Sequence, residues 1–335
     1  MDKSKKLFSA LKEGLREHEV MRNHTSMKVG GVADFYFEAK TIDELVKAVE
    51  TAYKLNIPYF ILGNGSNIIV SDFGYPGLVI KNATSNIAFM AEKSQAIVDS
   101  GVTLSKLILD AASNNFSGLE FLYGIPGTIG GAVYNNAGAW GQSIGDFIKF
   151  ATLLSPPGFD KEDPKNAKEH QIIQVPGEWF EFKYRSSKLK RITSFKKPII
   201  LSLRVQLAQS RQEEIMRRIN NFKERREHSQ PVGQSAGSVF KNPIPKELQN
   251  VVGAGSPNMP ELPKERTAGY MLEKSGAKRI RVGGARVSPK HANFVLNTGN
   301  AKAQEVRQVI EEMRRAVKEK FNVNLEEEIE YIGQW

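Results

Sequence analysis

Residues 124–141 have the sequence Gly124-Ile125-Pro126-Gly127-Thr128-Ile129-Gly130-Gly131-Ala132-Val133-Tyr134-Asn135-Asn136-Ala137-Gly138-Ala139-Trp140-Gly141, an uncharged run rich in glycine. Each glycine inside a regular element costs about 0.5–1 kcal/mol relative to alanine, because it loses more backbone entropy on folding. The apolar residues between the glycines argue against a flexible linker. The run is long enough to cross a bilayer, but its Gly, Asn and Pro content argues against a membrane span. A close approach of the backbone to a flat or phosphorylated ligand would offset the cost, so the run predicts a ligand-binding segment.

A second glycine segment lies upstream, between two short apolar runs. Gly63-Asn64-Gly65-Ser66-Asn67 follows Tyr59–Leu62 and precedes Ile68–Val70. Small residues let backbone N–H groups approach an anion, and Ser and Asn add short donors, so the segment suits a phosphate cradle. An ordinary hairpin turn is the alternative. The spacing matches neither the G-x-G-x-x-G dinucleotide fingerprint nor the P-loop.

The flanking patterns alternate between helix and strand. Thr41-Ile42-Asp43-Glu44 is a capping box that opens an amphipathic helix. Apolar residues alternate from Ile199 to Leu207, which predicts a half-buried strand, and helical spacing returns over 212–226 and 306–321. The fold class is therefore mixed, α/β or α+β, with a boundary near the polar, proline-terminated stretch at 227–231.

Composition limits the function classes. The chain has 335 residues, 40% of them apolar, which excludes a largely disordered protein. Its net charge of +10 predicts an anionic partner: nucleic acid, an acidic membrane surface or a phosphorylated small molecule. With no cysteine, thiolate catalysis and cysteine metal sites are excluded. No apolar signal-peptide core follows Met1, and no metal site is expected.

Three polar motifs could carry chemistry. Arg185 lies in the densely basic segment 183–191, which by itself is typical of a solvated face. Ser238 lacks the G-x-S-x-G elbow of an acyl-enzyme nucleophile, so only proton exchange remains open to it. In Leu325–Glu330, strand alternation would place Glu326 and Glu328 on one face and Glu327 on the other. Acidic residues on such an edge commonly only solubilise it.

Taken together, the motifs resemble one family, the UDP-N-acetylenolpyruvoylglucosamine reductases of bacterial cell-wall synthesis. The resemblance covers roughly Asn23 to Gly333. The order and spacing of the motifs make it specific. They are Asn23–Gly31, Gly63–Asn67, Gly124–Gly141, Tyr184-Arg185, Ser235–Pro243, Gly283-Gly284-Ala285 and His291-Ala292-Asn293-Phe294.

The resemblance implies an α+β fold. A two-lobed FAD-binding domain of the vanillyl-alcohol-oxidase/PCMH type would precede a C-terminal α+β substrate-binding domain. The expected division is a helical extension (1–22), a first lobe (23–90), a second lobe (91–227) and the substrate domain (228–335). The residues implied to bind FAD are Gly63, Asn64, Gly65, Ser66, Asn67, Pro126, Gly127, Thr128, Gly130, Gly131, Asn136, Ala137 and Gly138.

The implied reaction has two halves at one flavin. NADPH reduces FAD, and a hydride then passes to C3 of the enolpyruvyl group of UDP-N-acetylglucosamine-enolpyruvate, with protonation at C2, to give UDP-N-acetylmuramate. Arg185 and Glu328 would polarise and hold the substrate carboxylate, and Ser238 would deliver the proton. The implied substrate contacts are Tyr184, Lys241 and Asn242.

Several finer expectations accompany the resemblance. The absence of a long insertion after Arg185 indicates the shorter-looped type II form. Glu327 stands where many relatives have Pro, which should be harmless. The Asp160–Gln171 excursion has no functional account. The expected protein is cytoplasmic, a monomer or weak oligomer, and not inserted in a membrane.

Two other function classes remain open from the residues. One is another flavoprotein of the same architecture, an oxidase of an alcohol or sugar, which oxygen would reoxidise rapidly without NADPH. The other is a nucleic-acid or membrane-surface module, whose binding would depend strongly on salt. Basic residues are spread along the chain rather than concentrated, which disfavours the second class.

Overall fold

The computed structural model describes residues 3–159, 169–192, 197–243 and 263–335. Helices and strands are interleaved throughout these ranges. The helices are α1 Lys3–Leu11, α2 Ile42–Lys54, α3 Leu104–Ser113, α4 Ile129–Asn135, α5 Lys188–Arg191, α6 Gln212–Ser229, α7 Ala268–Lys274 and α8 Ala303–Phe321.

The strands form two larger sheets and several small ones. Their bounds are β1 Leu15–Val20, β2 Val32–Ala39, β3 Tyr59–Leu62, β4 Ile68–Val70, β5 Tyr75–Asn82, β6 Ile87–Met90, β7 Gln95–Asp99, β8 Phe116–Ser117, β9 Gly138–Ala139, β10 Gln142–Ser143, β11 Ile148–Ser155, β12 Gln171–Pro176, β13 Ile199–Gln206, β14 Ala208–Gln209, β15 Arg281–Val282, β16 Ala285–Val287, β17 Val295–Asn297 and β18 Glu330–Ile332.

The first sheet has the strand order β1-β2-β5-β3. Strands β2, β5 and β3 are parallel, with α2 as the crossover from β2 to β3, and β1 adds an antiparallel edge. The Thr41 hydroxyl accepts from the N–H of Glu44, so the predicted capping box is confirmed. Leu45 and Val49 of α2 are fully buried against this sheet. The carboxyl end of β3 therefore delivers the chain directly to Gly63.

The second sheet is antiparallel throughout, in the order β12-β11-β13-β7-β6. Leu203 and Val205 of β13 are buried as the alternation predicts. Their core also includes apolar residues of α3, α4 and α6. The glycine-rich run 124–141 forms α4 and β9 against this core, so it is packed rather than free.

The C-terminal region contains α7, α8 and the sheet β15-β16-β17. Its core also takes in Met27, Val29 and Ile69 from the N-terminal part of the chain. Strand β18 then returns to pair in parallel with β4. Residues from the N-terminal part of the chain therefore share one core with the C-terminal region, and the two parts are also joined by the pairing of β18 with β4.

Some segments differ from the expectations. The expected helical extension is helical in α1, but Leu15–Val20 is strand β1, because its residues add to the open edge of β2. Strand β6 belongs to the second sheet although it precedes residue 91. Residues 160–168 of the Asp160–Gln171 excursion lie outside the described residues. No helix in the described ranges combines the length and apolar character needed to cross a membrane.

Candidate active site

A cleft of about 880 Å³ lies between the two larger sheets and the C-terminal region. Its volume is within the range of small-molecule sites. It brings together segments that are far apart in sequence. Of the predicted site residues, those that line it are Gly63, Asn64, Gly65, Ser66, Asn67, Pro126, Gly127, Thr128, Gly130, Gly131, Ala137, Gly138, Arg185, Ser238 and Glu328.

The two glycine segments meet across one end of this cleft. A Cβ built on Gly63 would lie 2.9 Å from Oγ1 of Thr128, the residue that caps α4. Gly65 has φ of +61°, and a Cβ there would lie 2.2 Å from the carbonyl oxygen of His24, so only glycine fits. The Lys81 ammonium group fixes the loop by donating to the carbonyl oxygen of Gly63 at 2.6 Å. Strands β3 and β4 join different sheets, which excludes the hairpin alternative.

The cleft has space beside specific glycines, which fits a large flat or phosphorylated group. Among the described residues, a Cβ on Gly127 would meet no heavy atom closer than 3.9 Å, and one on Gly237 would meet none within 4 Å. Both residues line the cleft, so side chains there would fill it. Bare backbone with Ser66 and Asn67 nearby is the donor set that a dinucleotide diphosphate requires. The residues present therefore fit FAD.

Arg185 occupies a tight turn. Lys183 and Ser186 exchange both backbone hydrogen bonds, at 2.9 and 3.0 Å, so Tyr184 and Arg185 are the central residues. Arg185 has φ of +52°, an uncommon conformation for a residue with a Cβ. Such backbone strain costs on the order of 1–3 kcal/mol and is found preferentially at functional sites.

The basic segment that follows is anchored on α4. The Asn136 amide donates to the carbonyl oxygen of Lys183 at 2.9 Å and accepts from the N–H of Gly145 at 3.1 Å. The Ser187 hydroxyl, fully buried, donates to the carbonyl oxygen of Tyr134 at 2.7 Å. Leu189 is buried as well. Arg185 and Leu189 therefore form part of the cleft wall, while Lys183 and Arg191 at the ends of the segment are exposed.

Arg185 forms an ion pair with Glu328. Nε of Arg185 lies 3.0 Å from Oε1 of Glu328, and each side chain is about one-fifth exposed. The pair lacks the alignment of a hydrogen bond, and among the described residues this buried Nε has no hydrogen-bond partner. Burial opposes the positive charge, but Glu328 and Tyr184 outweigh it, and the pKa of Arg185 is raised above its usual value. The guanidinium is thus held charged at the cleft wall.

Ser238 is positioned by a buried asparagine. The Asn293 side chain accepts from the N–H of Phe240 at 2.9 Å and donates to the Phe240 carbonyl oxygen at 2.8 Å. The N–H of Val239 donates to the Asn293 carbonyl oxygen, and the N–H of Glu328 donates to the Val239 carbonyl oxygen, both at 2.8 Å. The backbone of Ser238 is therefore fixed relative to that of Glu328.

Four predicted residues do not line the cleft. Asn136 uses its amide internally, as described above. The Tyr184 hydroxyl accepts from the N–H of Asn242 at 3.4 Å, and the Asn242 side-chain oxygen accepts from the N–H of Ala268 at 3.0 Å. Lys241 pairs with the exposed Glu326. These last three lie together beside the cleft.

The structure adds a cation that the sequence patterns did not single out. Arg226 of α6 lines the cleft and donates to the carbonyl oxygens of Tyr123 and Phe121 at 2.8 and 2.9 Å. Its guanidinium lies 4.7 Å from the centre of the Trp140 ring. Burial, with the charge of Arg185, lowers its pKa to about 10. In the sequence it is one of several basic residues on a polar helix, so no local signal distinguishes it.

A second polar group lines the cleft between α4 and β18. It consists of Tyr134, Lys197 and Glu330, with Lys190 behind them. The apolar surroundings of Tyr134 in the sequence gave no sign of polar partners. Within the described ranges no group of three or more His, Asp or Glu side chains could hold a metal ion.

Two family models match the chain. One, an FAD binding domain, matches residues 33–158, and the other, the C-terminal domain of UDP-N-acetylenolpyruvoylglucosamine reductase, matches residues 228–332. The two matched ranges contain both glycine segments, Ser238 and Glu328. They agree with a mixed α and β fold that binds FAD.

Individual relatives match almost end to end. The UDP-N-acetylenolpyruvoylglucosamine reductase of Lachnoclostridium phytofermentans is 35% identical over 95% of this chain and 92% of its own length. That of Bacillus subtilis is 32% identical over 94% and 93%. The solved structure of the Thermus caldophilus reductase has a TM-score of 0.71 and 30% identity, and the match covers 95% of this chain and 99% of that one. This chain belongs to the UDP-N-acetylenolpyruvoylglucosamine reductase family.

Proposed function

We propose that Arg185, Ser238 and Glu328 carry out the family's reaction in this chain, the reduction of UDP-N-acetylglucosamine-enolpyruvate to UDP-N-acetylmuramate for peptidoglycan synthesis. One observation carries the proposal. The cleft holds a charged guanidinium, its carboxylate partner and a hydroxyl on three separate segments that are hydrogen-bonded or ion-paired to one another. A cation, a carboxylate and a hydroxyl arranged in this way suit a hydride acceptor that carries a carboxylate of its own.

The cofactor is FAD, with NADPH as the reductant. We assign its diphosphate to the backbone and side chains of Gly63–Asn67, and its ring system to the glycine run that begins at Gly124. When bound, the flavin supplies the hydride that it has received from NADPH. The protein's contribution is to hold the ligands, exclude water and stabilise charge.

Arg185 stabilises the charge that develops on the substrate carboxylate. Hydride addition at C3 leaves an enolate whose negative charge is shared with that carboxylate, so a preorganised cation lowers the barrier. Glu328 contacts Nε, and among the described residues no other carboxylate pairs with this guanidinium. The terminal nitrogens can therefore bind the substrate in the bidentate manner that arginine favours.

Ser238 donates the proton to C2. Protonation completes the reduction, and the strongly basic enolate makes a hydroxyl an adequate acid. The residue is held by its fixed backbone rather than by an adjacent base, which suits a proton donor better than a nucleophile. Tyr184, Lys241 and Asn242, which lie together beside the cleft, are proposed to contact the uridine diphosphate portion.

Replacing Ser238 with Ala tests these roles. The variant should keep flavin reduction by NADPH nearly intact, while flavin reoxidation by the enolpyruvyl substrate slows by about 10²–10⁴, the usual contribution of a positioned acid. Anaerobic stopped-flow absorbance separates the two halves. Ser113→Ala, an exposed serine of α3, is the matched control. An equal loss in both halves would refute the assignment.

We also propose that the protein acts in the cytoplasm as a monomer or weak oligomer. Both ligands, NADPH and a nucleotide sugar, are cytoplasmic metabolites, and a chain without cysteine suits a reducing compartment. Light scattering over a range of protein concentrations tests the assembly state. A stable oligomer at the lowest concentration would contradict it.

A further inference from the structure

Two carboxylates of the C-terminal segment reach the same basic segment, Lys183–Arg191. Glu328 pairs with Arg185, and Glu330, two positions later, pairs with Lys190 at 3.1 Å between Oε1 and Nζ. Asn67 fixes the backbone of this segment. Its side-chain amide donates to the Glu328 carbonyl oxygen, and its backbone carbonyl oxygen accepts from the N–H of Glu330. The segment Lys183–Arg191 is thus held at two points, Arg185 and Lys190, by two carboxylates that lie two positions apart.

Lys190 is also held from the opposite side. Its ammonium donates to the side-chain oxygen of Asn135 in α4 at 2.6 Å, and its side chain is only 16% exposed. Burial and then the charge of Glu330 raise the pKa of Tyr134, which lies beside Asn135. The contact between β18 and α4 therefore runs through Lys190, which lies five residues after Arg185.

The charges in this cluster do not balance. Lys197 donates to the Tyr134 hydroxyl at 2.9 Å and lies 4.8 Å from the centre of its ring. Burial lowers the pKa of Lys197, and Glu330 opposes this effect. The charge of Glu330 therefore acts on two ammonium groups, through the ion pair with Lys190 and at longer range on Lys197. Removing that carboxylate would leave both cations in a partly buried site without compensation, which is costly.

We propose that Glu330 is a positioning residue for the reduction: through Lys190, which also binds Asn135, it locks the basic segment against α4 and so holds Arg185 opposite Glu328. The proposal rests on the catalytic roles assigned to Arg185 and Glu328 above. Glu330 acts through its neighbours and needs no contact with the reacting atoms. A displacement of about 1 Å at a reacting group can cost on the order of a hundredfold in rate.

The test compares Glu330→Gln, Lys190→Gln and the double variant in the two half-reactions, per bound flavin. Each single variant should slow flavin reoxidation by the enolpyruvyl substrate about tenfold to a hundredfold, while NADPH reduction changes less than about threefold. The double variant should slow flavin reoxidation no more than the slower of the two single variants does, because both single changes remove the same interaction. Glu319→Gln, exposed on α8, controls for the loss of a carboxylate.

Three outcomes would overturn the positioning role. They are unchanged reoxidation in Glu330→Gln, equal loss in both half-reactions in proportion to lost flavin, and additive losses in the double variant. If Glu330→Gln does not fold, Lys190→Gln must still slow flavin reoxidation while leaving flavin reduction by NADPH nearly unchanged. Arg185→Lys, measured alongside, separates the two proposals. If this variant leaves reoxidation unchanged, the catalytic roles assigned to Arg185 and Glu328 are wrong. If it slows reoxidation and the Glu330 and Lys190 variants do not, only the positioning role of Glu330 is wrong.

Discussion

At the scale of single residues, two buried asparagines fix the backbone around the cleft. Asn136 holds the segment that leads to Arg185, and Asn293 holds the segment that carries Ser238. Each uses both ends of its amide, which no aliphatic side chain could do. The positions of the residues assigned to chemistry therefore depend on neighbours whose side-chain amides bond to the protein backbone.

Replacing Asn293 with Ala should destabilise the protein by about 2–6 kcal/mol. The change leaves the N–H and carbonyl oxygen of the buried Phe240 without partners, and each unsatisfied group costs about 1–3 kcal/mol. Urea unfolding of the flavin-free protein measures the loss. Asn324→Ala, at an exposed position before β18, should change the free energy of unfolding by less than about 0.5 kcal/mol. Equal losses in the two variants would contradict this account.

The site residues could be predicted from the sequence where they lie in a recognisable motif. Resemblance alone singled out Arg185, Ser238 and Glu328, and all three line one cleft. The cations Arg226 and Lys197 were not predictable, because their sequence surroundings match those of ordinary surface residues. Only the packing of α6 and β13 turns them towards the same space.

At the scale of elements, the first turn of α8 is tied to two other parts of the chain. Asp72, in the loop after β4, accepts from the N–H groups of Ala303 and Gln304 at 2.9 and 3.0 Å. Glu305 accepts from the N–H groups of Gly284 and Lys302 at 3.0 and 3.1 Å. Both carboxylates lie where the helix dipole favours negative charge.

Glu305 should make stability depend on pH. The hydrogen bond from Gly284, then that from Lys302, lowers the pKa of Glu305 below its usual 4.5. A lowered folded-state pKa contributes stability that is complete above about pH 4.5 and is lost as pH falls through the folded value. The stability advantage of the wild type over Glu305→Gln should therefore be largest near pH 7 and shrink in acid. Urea unfolding at a series of pH values, with Glu319→Gln as control, measures it. An advantage that grows in acid would contradict the assignment.

Local elements were largely predictable, but their partners were not. The capping box of α2, the alternation in β13 and the amphipathic stripe of α8 each depend on neighbours in sequence, and each is confirmed. The pairing of β3 and β4 with separate sheets could not be predicted from the turn between them. It is determined by β18, because β4 finds a parallel partner there instead of a hairpin partner.

At the scale of the whole molecule, the cleft between sheets and C-terminal region makes stability depend on its cofactor. A ligand that binds only the folded state stabilises it by about 2.7 kcal/mol at one hundred times its Kd. FAD should therefore raise the Tm of the flavin-free protein in a concentration-dependent way. Calorimetry with increasing FAD measures the shift.

Gly127→Val should separate cofactor binding from folding. The added side chain would occupy cleft space, since a Cβ there meets no heavy atom of the described residues closer than 3.9 Å. The flavin-free Tm should change little, while the FAD-induced shift at a given FAD concentration shrinks. An undiminished shift would show that the glycine run does not line the flavin site.

The pairing of β18 with β4 has a consequence for synthesis on the ribosome. Asn67 and Glu328, which it brings together, lie 261 residues apart. At about 5–20 residues per second, roughly 13–50 s pass between their translation. During that interval β4 lacks its strand partner, and the carboxylate that pairs with Arg185 has not been made. Flavin can therefore be enclosed only after nearly the whole described chain has left the ribosomal tunnel, so cofactor loading is a late step of maturation.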